Sequence, residues 1–347
     1  MSDPNKQSSQ ISSEDELEEL LTRPSEALIG FVTQIASPLV ILGAGGKMGP
    51  TLALLAKRAA EAARHSLQII AISRFSDATA RRSLEEAGIE TCDCDLLKDD
   101  LSALPNTRNV IYLVGLKFGT LQNPSLTWVM NTLVPARVAS RYWNSRIVAL
   151  STANAYPLSD VKRAGAVETD PLTPLGEYGN AAVARERIFE YYSRENKTEI
   201  ALLRLHYAVE LRYGILVDIA RMVHAGKEIP LENGYFSCIW QGDANETILR
   251  SLALTSIPAS AWNLCRPEVF SVRNVALRFG ELFGKRPQFT GAPAGTALLS
   301  NPTKLCSKLG TPSVTLDTMV EWIAAWVKQG GRNLEKPTHF EVRDGNY

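Results

Sequence analysis

The chain has 347 residues and equal numbers of acidic and basic side chains, so its formal net charge is zero. A neutral protein has no general electrostatic attraction to nucleic acid or to an anionic membrane, and we expect neither as a partner. No stretch is long and apolar enough to span a bilayer, and the acidic first residues lack the apolar run of a signal peptide. We therefore expect a globular, cytoplasmic protein.

The cysteines and histidines show no metal-ligand spacing. The chain has five cysteines, and no two of them form a CxxC pair. Cys92 and Cys94 lie two apart on one predicted strand and share a face, which favours small core residues over metal ligands. His65, His224 and His339 are scattered along the chain. We expect neither a disulfide framework nor a metal site.

The predicted elements begin with a disordered tail, over residues 1 to about 13. Ser13 and the acidic residues after it predict a short helix through Leu21, stopped by Pro24, which we expect to be an appendage. Apolar runs then predict strands at residues 39–42, 67–72, 89–94, 109–114, 146–150 and 199–205. Helices are predicted between them at 48–63, 77–87, 124–143 and 177–194. This alternation predicts an α/β fold with a doubly wound parallel sheet.

A glycine-rich loop follows the first strand and opens the first long helix. Its sequence is Gly43, Ala44, Gly45, Gly46, Lys47, Met48, Gly49. Glycine lets the chain turn sharply and lets its backbone approach a pyrophosphate, which then meets the N–H groups at the helix start. In this strand–loop–helix context the loop predicts a Rossmann domain that binds NAD or NADP. We expect all of these residues except Ala44 to contact the cofactor.

The end of the second strand bears on the choice between the two dinucleotides. A carboxylate there would bind the ribose 2′-hydroxyl of NAD. The chain has Ser73 and Arg74 instead, and no carboxylate before Asp77. Arg74 can pair with a 2′-phosphate, which favours NADP. In the alternative, Arg74 is solvated or stacks on the adenine of NAD.

The alternation of predicted strands and helices becomes less regular after Leu205, although residues 272–283 and 316–328 predict amphipathic helices. We therefore divide the chain into three parts. Residues 1–35 are a tail and short helix, and residues 36–205 are the dinucleotide-binding domain. Residues 206–347 are mainly a smaller substrate-binding lobe, with some segments that return to the sheet.

The spacing Gly43-x-x-Gly46-x-x-Gly49 resembles the extended short-chain dehydrogenase/reductase family, which includes NAD-dependent sugar epimerases and dehydratases. The landmarks that carry the resemblance further are, in chain order, Asp95-Leu96 after the third strand, Gly115-Leu116-Lys117 after the fourth, Asn131, the run Ser151-Thr152-Ala153-Asn154-Ala155-Tyr156, Tyr178, and Trp240-Gln241-Gly242-Asp243. The resemblance implies that Asp95, Leu96, Val114 and Gly115 contact the cofactor.

The resemblance also implies the chemistry. Tyr178 would be the acid or base on a substrate oxygen, and Thr152 would hydrogen-bond the same oxygen while the cofactor moves a hydride. The family has a Lys four residues after the Tyr, whose charge favours the phenolate, but this chain has Ala182 there. Either Lys117 or Arg185 is a candidate for the missing cation.

Each of these residues can instead have a purely structural role. Tyr178 can be a half-buried aromatic, and Thr152 can be a strand-end residue that bonds nearby backbone groups. Where the family often has Arg-x-x-Asn-Pro, the chain has 204–208, RLHYA. His206 is there either a proton-transfer group or a packed histidine.

Two classes of function therefore stay open. The first is an NAD(P)-dependent epimerase, dehydratase or reductase that acts on a sugar or a sugar-nucleotide-like substrate; a carbonyl reductase for small metabolites is a variant of it. The second, favoured by Ala182, is a dinucleotide-binding regulatory protein without turnover. The resemblance also suggests a homodimer that forms through the helices predicted at residues 124–143 and 177–194.

Overall fold

The computed structural model describes residues 11–117, 119–336 and 338–346. Most of the predicted disordered tail lies outside these residues. The α-helices of the described residues are α1 (Glu14–Leu21), α2 (Glu26–Val32), α3 (Gly49–Ala62), α4 (Ala78–Glu86), α5 (Pro124–Arg141), α6 (Gly176–Glu195), α7 (Ile215–His224), α8 (Gln241–Arg250), α9 (Val272–Phe283), α10 (Thr303–Leu309) and α11 (Leu316–Lys328). None of them is long and apolar enough to cross a membrane.

The strands of the same residues are β1 (Leu39–Leu42), β2 (Ile69–Ser73), β3 (Glu90–Asp93), β4 (Asn109–Tyr112), β5 (Arg146–Thr152), β6 (Ser159–Asp160), β7 (Glu199–Leu205), β8 (Tyr207–Val209), β9 (Glu228–Pro230), β10 (Tyr235–Phe236), β11 (Cys238–Trp240), β12 (Ser260–Leu264), β13 (Phe270–Ser271), β14 (Gln288–Thr290) and β15 (Thr296–Ala297). The strands predicted in the first half of the chain are present within a few residues of their expected bounds.

One parallel sheet organises the described part of the chain. Its seven strands have the order β12-β7-β5-β4-β1-β2-β3, and every neighbouring pair is parallel. The chain runs outward from β1 through β2 to β3, then returns to β4 on the other side of β1. This reversal leaves a crevice at the carboxyl ends of β1 and β4, where doubly wound proteins bind ligands. The predicted fold class is confirmed.

Alternate residues of the central strands explain the layers on both faces. In β1 the side chains of Leu39 and Ile41 pack on one face, with helices α2, α3 and α8. Val40 and Leu42 pack on the other face, with α5 and α6. Because successive side chains of a strand point to opposite faces, a strand that is buried on both faces is apolar throughout. This is why the sequence predicted β1 well.

A second core lies outside the sheet and belongs to the smaller lobe. Helices α7, α9 and α11 pack against one another there, and Trp240 meets Trp322 edge to face with ring centroids 5.3 Å apart. The chain then returns to the sheet, since α8 packs on α3 and β12 pairs with β7. The lobe is thus attached to the sheet by more than one crossing of the chain.

The expectation that α1 is an appendage is wrong. The helix begins as predicted, with the Ser13 hydroxyl accepting a hydrogen bond from the backbone N–H of Glu16. However, Leu17 and Leu21 are 0% and 1% exposed and belong to the core of the smaller lobe. Two apolar side chains on one face of an otherwise acidic helix are enough to dock it, because burial of each leucine is worth about 2 kcal/mol.

This packing predicts that the Leu17→Ala variant loses about 2–5 kcal/mol of unfolding free energy, the usual cost of emptying a leucine site in a core. Urea unfolding followed by tryptophan fluorescence measures it. Glu18→Ala, on the exposed face of the same helix, is the control and stays within about 0.5 kcal/mol of the wild type. If Leu17→Ala changed the unfolding free energy as little as the control does, α1 would be an appendage after all.

Candidate functional site

Two adjoining cavities occupy the crevice at the carboxyl ends of β1 and β4. The outer cavity, of about 470 Å³, lies beside the ends of β2 and β3. The inner cavity, of about 300 Å³, lies between the ends of β5 and β7, the start of α6 and the smaller lobe. The two cavities share the wall formed by Gly43, Gly46, Leu113 and Gly115. Together they form one elongated groove that passes over the glycine loop.

The close packing of the loop requires its glycines. Gly43 has a φ of +82°, and a Cβ there would lie 2.9 Å from Cγ2 of Val114. A Cβ on Gly45 would lie 2.8 Å from the Ser73 hydroxyl oxygen, and one on Gly49 would overlap the backbone of Ala44. Helix α3 begins immediately after, and no side chain caps its amino end. The Gly49 N–H donates to the Gly46 carbonyl at 3.2 Å and Pro50 has no N–H, so an anionic ligand there would meet mainly the positive end of the helix dipole.

The structure brings the residues predicted for the far end of the cofactor to the outer cavity. Ser73, Arg74, Asp95, Leu96 and Val114 all line it. Arg74 is exposed at its mouth. The nearest downstream carboxylate is occupied elsewhere, because an Asp77 oxygen caps α4 by accepting the Thr79 N–H at 2.9 Å. β2 has no acidic residue of its own, so neither this strand nor Asp77 offers a carboxylate to the outer cavity.

The inner cavity collects the three residues predicted for catalysis. Tyr178 lies in the first turn of α6, Thr152 ends β5, and Lys117 follows β4; all three line the cavity together with Lys47. The Thr152 hydroxyl donates to the Asn154 side-chain oxygen at 3.1 Å and accepts the Asn154 N–H at 3.2 Å. Thr152 therefore caps a short turn, which is the structural role expected as an alternative, and it also borders the cavity.

Helix α6 also directs Arg185 to the inner cavity. Seven residues make nearly two full helical turns, so Arg185 lies on the same face as Tyr178, and both line the cavity. Arg185 is only 4% exposed, and its Nη1 donates to the Val114 carbonyl at 3.2 Å. A Cβ on Gly115 would lie 2.6 Å from that Nη1. Ala182 is fully buried between them on the helix.

A buried network fixes this part of α6 to the sheet. Glu186 and Arg204 are 0% and 3% exposed and form an ion pair, with 2.7 Å between Arg204 Nη2 and a carboxylate oxygen of Glu186. The Ser151 hydroxyl donates to the same carboxylate. Arg204 also donates to the Tyr156 hydroxyl at 2.6 Å, which donates to the Asn263 side chain at 2.8 Å. The ends of β5, β7 and β12 are thereby tied to one helix.

Burial changes the protonation of the groups around the inner cavity. It lowers the pKa of Lys117 to about 8, and it lowers the pKa of His206 to about 4. The His206 ring lines the cavity but is neutral near pH 7 and accepts a proton poorly there. Of the two alternatives for His206, this favours the packed histidine.

Two features near the inner cavity were not expected from the sequence: the contact of Lys47 with the smaller lobe and the course of the end of the chain. Lys47 was expected to contact the cofactor, but its ammonium also donates to the Ala208 carbonyl at 3.0 Å. It lies 3.6 Å from the centre of the Tyr213 ring, and that ring lines the cavity too. The loop lysine therefore reaches the smaller lobe. No sequence pattern predicts this contact, because it joins residues far apart in the chain.

The second feature is the C-terminal strap, residues 338–346, which lies behind the wall of the inner cavity and does not line the cavity itself. Thr338 anchors one end, donating its backbone N–H and its hydroxyl to Asp218 at 2.9 and 2.6 Å. Phe340 is 3% exposed in the core of the smaller lobe. Arg343 donates to the carbonyl and the hydroxyl of Thr296 at 2.7 and 2.8 Å. These contacts lead the strap from the lobe toward the sheet.

The strap ends against the helix that carries Tyr178. A Cβ on Gly176, the first residue of α6, would overlap the carbonyl of Gly345. Val342, Arg343 and Gly345 of the strap also face Asn154 and Tyr207, two residues of the inner-cavity wall. The strap is therefore part of the structure that positions the start of α6.

The donors present suit a dinucleotide and not a metal ion. The groove is long, its middle is a glycine cradle that any side chain would fill, and the amino end of α3 points a helix dipole at it. Among the described residues no group of three or more His, Cys, Asp or Glu side chains has the geometry to hold a metal. Cys92 and Cys94 are free thiols, partly and fully buried respectively.

Comparison with known proteins places the chain. Residues 39–232 match the model of the NAD dependent epimerase/dehydratase family. Comparison with the curated protein sequences gives no significant match.

Among solved structures, the chain is similar to a UDP-glucuronic acid 4-epimerase from Bacillus cereus in complex with UDP-glucuronic acid and NAD. The TM-score is 0.70 at 16% identity, over 84% of this chain and 99% of that one. A UDP-glucose 4-epimerase from Thermotoga maritima with UDP-glucose gives 0.67 at 16% identity, over 84% and 99%. A dTDP-glucose 4,6-dehydratase from Bacillus anthracis with NAD gives 0.69 at 13% identity, over 85% and 97%. At these identities the likeness concerns the fold.

The family match covers more than half of the chain and includes the glycine loop, Thr152 and Tyr178. The resemblance indicated by the sequence motifs is thereby confirmed: the chain belongs to the NAD dependent epimerase/dehydratase family.

Proposed function

We propose that this protein transfers a hydride between a nicotinamide dinucleotide and a sugar or sugar-nucleotide-like substrate, as an epimerase, dehydratase or reductase. The observation that carries the proposal is the inner cavity, where Tyr178, Thr152 and Lys117 lie around one space that opens onto the glycine loop. An acid–base group, a second hydroxyl and a cation beside a dinucleotide groove are what the chemistry of a hydroxyl or carbonyl substrate needs.

The cofactor would lie along the groove. The glycine loop and the amino end of α3 would hold the pyrophosphate, and Asp95 and Leu96 would border the adenine. Arg74, exposed at the mouth of the outer cavity, would pair with a 2′-phosphate, so we propose NADP as the preferred cofactor. The engagement of Asp77 as a helix cap supports this preference, since that carboxylate is not left to bind a 2′-hydroxyl.

The chain's own groups would move the proton. When bound, the nicotinamide supplies or accepts the hydride. The Tyr178 hydroxyl would give a proton to, or take one from, the reacting substrate oxygen. Thr152 would donate its hydroxyl hydrogen to the same oxygen instead of to Asn154. Lys117 would stabilise the negative charge that develops on these oxygens, because a cation acts strongly in a buried cavity.

The buried Ala182 is the observation that favours the alternative, a dinucleotide-binding regulatory protein without turnover. Alanine can neither stabilise a phenolate nor hydrogen-bond a ribose. However, Arg185 lies on the same helix face as Tyr178 and reaches the wall at Val114 and Gly115. We propose that Arg185 and Lys117 together replace the missing lysine charge, which is why we prefer the enzyme.

The substrate class follows from relatives. The structures of the two epimerases compared above contain UDP-glucuronic acid and UDP-glucose. We therefore propose a carbohydrate substrate for this chain.

We also propose a cytoplasmic location. The free state of all the cysteines supports it, because the cytoplasm is a reducing compartment.

We further propose a homodimer that forms through α5 and α6. Leu133 and Tyr191 are 48% and 60% exposed on these two helices, which pack closely against each other. Large apolar side chains exposed on adjoining helices are typical of an interface. A second copy, related by twofold symmetry, would cover both faces at once.

Replacing Tyr178 by Phe tests the catalytic assignment. The variant keeps the ring but loses the proton, so turnover is expected to fall at least about 100-fold. It is measured by chromatography of the sugar substrate that the wild type converts and of its product, because an epimerase or a dehydratase regenerates its dinucleotide in each cycle and leaves the NADPH absorbance unchanged. Tyr235→Phe, in β10 and outside the lining of the inner cavity, is the control and keeps full activity. Turnover within twofold of the wild type in Tyr178→Phe would contradict the assignment.

Replacing Arg74 by Ser tests the cofactor preference. Loss of a charge-assisted contact with the 2′-phosphate is expected to weaken NADP binding about 10-fold and to leave NAD binding nearly unchanged. Titration of protein fluorescence with each dinucleotide gives both dissociation constants. If the wild type binds NAD as tightly as NADP, the preference is wrong whatever the variant does.

Leu133→Glu tests the dimer. A charge placed at the centre of an apolar interface is expected to convert the dimer into a monomer, which sedimentation equilibrium detects. Leu277→Glu, on α9 and 45% exposed, introduces the same charge away from α5 and α6 and leaves the dimer intact. A wild-type protein that sediments as a monomer would contradict the proposed homodimer.

A further inference from the structure

The inner cavity is small for the ligands that it has to receive. Its volume is about 300 Å³, the lower end of the range for protein sites that hold small molecules. The proposed reaction brings the nicotinamide and the reacting part of the substrate into this one space. A sugar can fill the room that the nicotinamide leaves. A nucleoside diphosphate is larger than the sugar that it carries, so it would need further room beyond the cavity.

That further room would have to lie on the substrate side of the cavity, because the dinucleotide takes the outer cavity and the glycine loop. Asn154, Tyr207 and Leu298 line the inner cavity and not the outer one, so they belong to the wall on the substrate side. The same three residues face the C-terminal strap. A substrate that extends past this wall would therefore meet the strap.

The strap occupies the space behind this wall. Val342, Arg343 and Gly345 lie opposite the three wall residues, and the gap that remains has a volume of about 20 Å³. A gap of this size holds about one water molecule. A nucleotide therefore has no space there while the strap is in place.

The strap also uses the polar groups of the smaller lobe that border this space. The Asn233 side chain is buried and donates to the Phe340 carbonyl at 2.5 Å. Arg343 donates to the Glu232 carbonyl at 3.1 Å, and to the carbonyl and the hydroxyl of Thr296 at 2.7 and 2.8 Å. The chain thus satisfies from within the groups that a nucleotide in this place would have to bind.

A second contact closes the passage between the glycine loop and the smaller lobe. The Lys47 ammonium donates to the Ala208 carbonyl at 3.0 Å and lies 3.6 Å from the centre of the Tyr213 ring. Both partners line the inner cavity. A long substrate would have to break this contact to pass between the loop and the lobe.

We infer that the substrate is a sugar without a nucleoside diphosphate, and that the strap sets this limit by filling the space that the nucleotide would need. The inference rests on the proposed function, since it takes the inner cavity as the place where the sugar meets the nicotinamide. It narrows that function to monosaccharides and their small derivatives. It also separates this chain from the two epimerases compared above, whose structures contain UDP-linked sugars.

Calorimetric titration of the protein saturated with dinucleotide tests the inference. The probes are matched pairs of a free sugar and the same sugar on a nucleoside diphosphate: glucose and UDP-glucose, galactose and UDP-galactose, mannose and GDP-mannose. At least one free sugar is expected to bind, and to bind at least about 10-fold more tightly than its nucleotide-linked partner. The inference is overturned if any nucleotide-linked sugar binds as tightly as its free partner or more tightly, or if no free sugar binds.

Two variants of the full chain show whether the strap is responsible. Arg343→Ala and Thr338→Val each remove contacts that hold the strap, and each is expected to increase the affinity for the nucleotide-linked sugars at least about fivefold. The dinucleotide affinity is expected to stay unchanged, because no described residue of the strap lines either cavity. Arg286→Ala removes an exposed arginine of the smaller lobe and is the control, with unchanged affinities. Unchanged affinity for the nucleotide-linked sugars in both strap variants overturns the inference.

The readout separates this inference from the proposed function, because binding does not need turnover. Preference for a free sugar in a protein that converts no sugar contradicts the proposed catalysis and keeps the inference. Turnover of a nucleotide-linked sugar that binds more tightly than its free partner keeps the proposed catalysis and overturns the inference.

Discussion

The buried ion pair between Glu186 and Arg204 is the interaction on which the candidate site depends. It joins α6 to the end of β7, and its neighbours Ser151 and Tyr156 extend the connection to β5 and β12. Removing one partner would leave an uncompensated charge in the core, at a cost of about 3–5 kcal/mol. Because α6 cannot slide without breaking this pair, the position of Tyr178 at its amino end is fixed relative to the strand ends.

The same helix carries Arg185, which we propose supplies, with Lys117, the charge of the family's missing lysine. One face of α6 carries Tyr178, the buried Ala182 and then Arg185, which returns a positive charge to the cavity wall. Gly345 of the C-terminal strap packs against Gly176, the first residue of the helix. The site is thus held from three directions: the sheet, the smaller lobe and the end of the chain.

The sequence predicted the parts of this arrangement that depend on local patterns. Apolar runs such as 39–42 and the glycine spacing after them are short-range signals, so β1 and α3 lie close to their predicted bounds. The docking of α1 through Leu17, the reach of Lys47 to Ala208 and the course of the strap are long-range contacts. No periodicity or motif encodes them, because they depend on how the smaller lobe packs against the sheet.

Equilibrium titration of the purified protein with NADP and with NAD shows whether the groove over the glycine loop binds a dinucleotide. We expect saturable, one-to-one binding of at least one dinucleotide, with NADP the tighter. It also predicts that Gly49→Ala abolishes this binding, since the added Cβ would overlap the Ala44 backbone, whereas Gly30→Ala, with open space around its Cβ, retains it. Failure of the wild type to bind either dinucleotide would contradict the account.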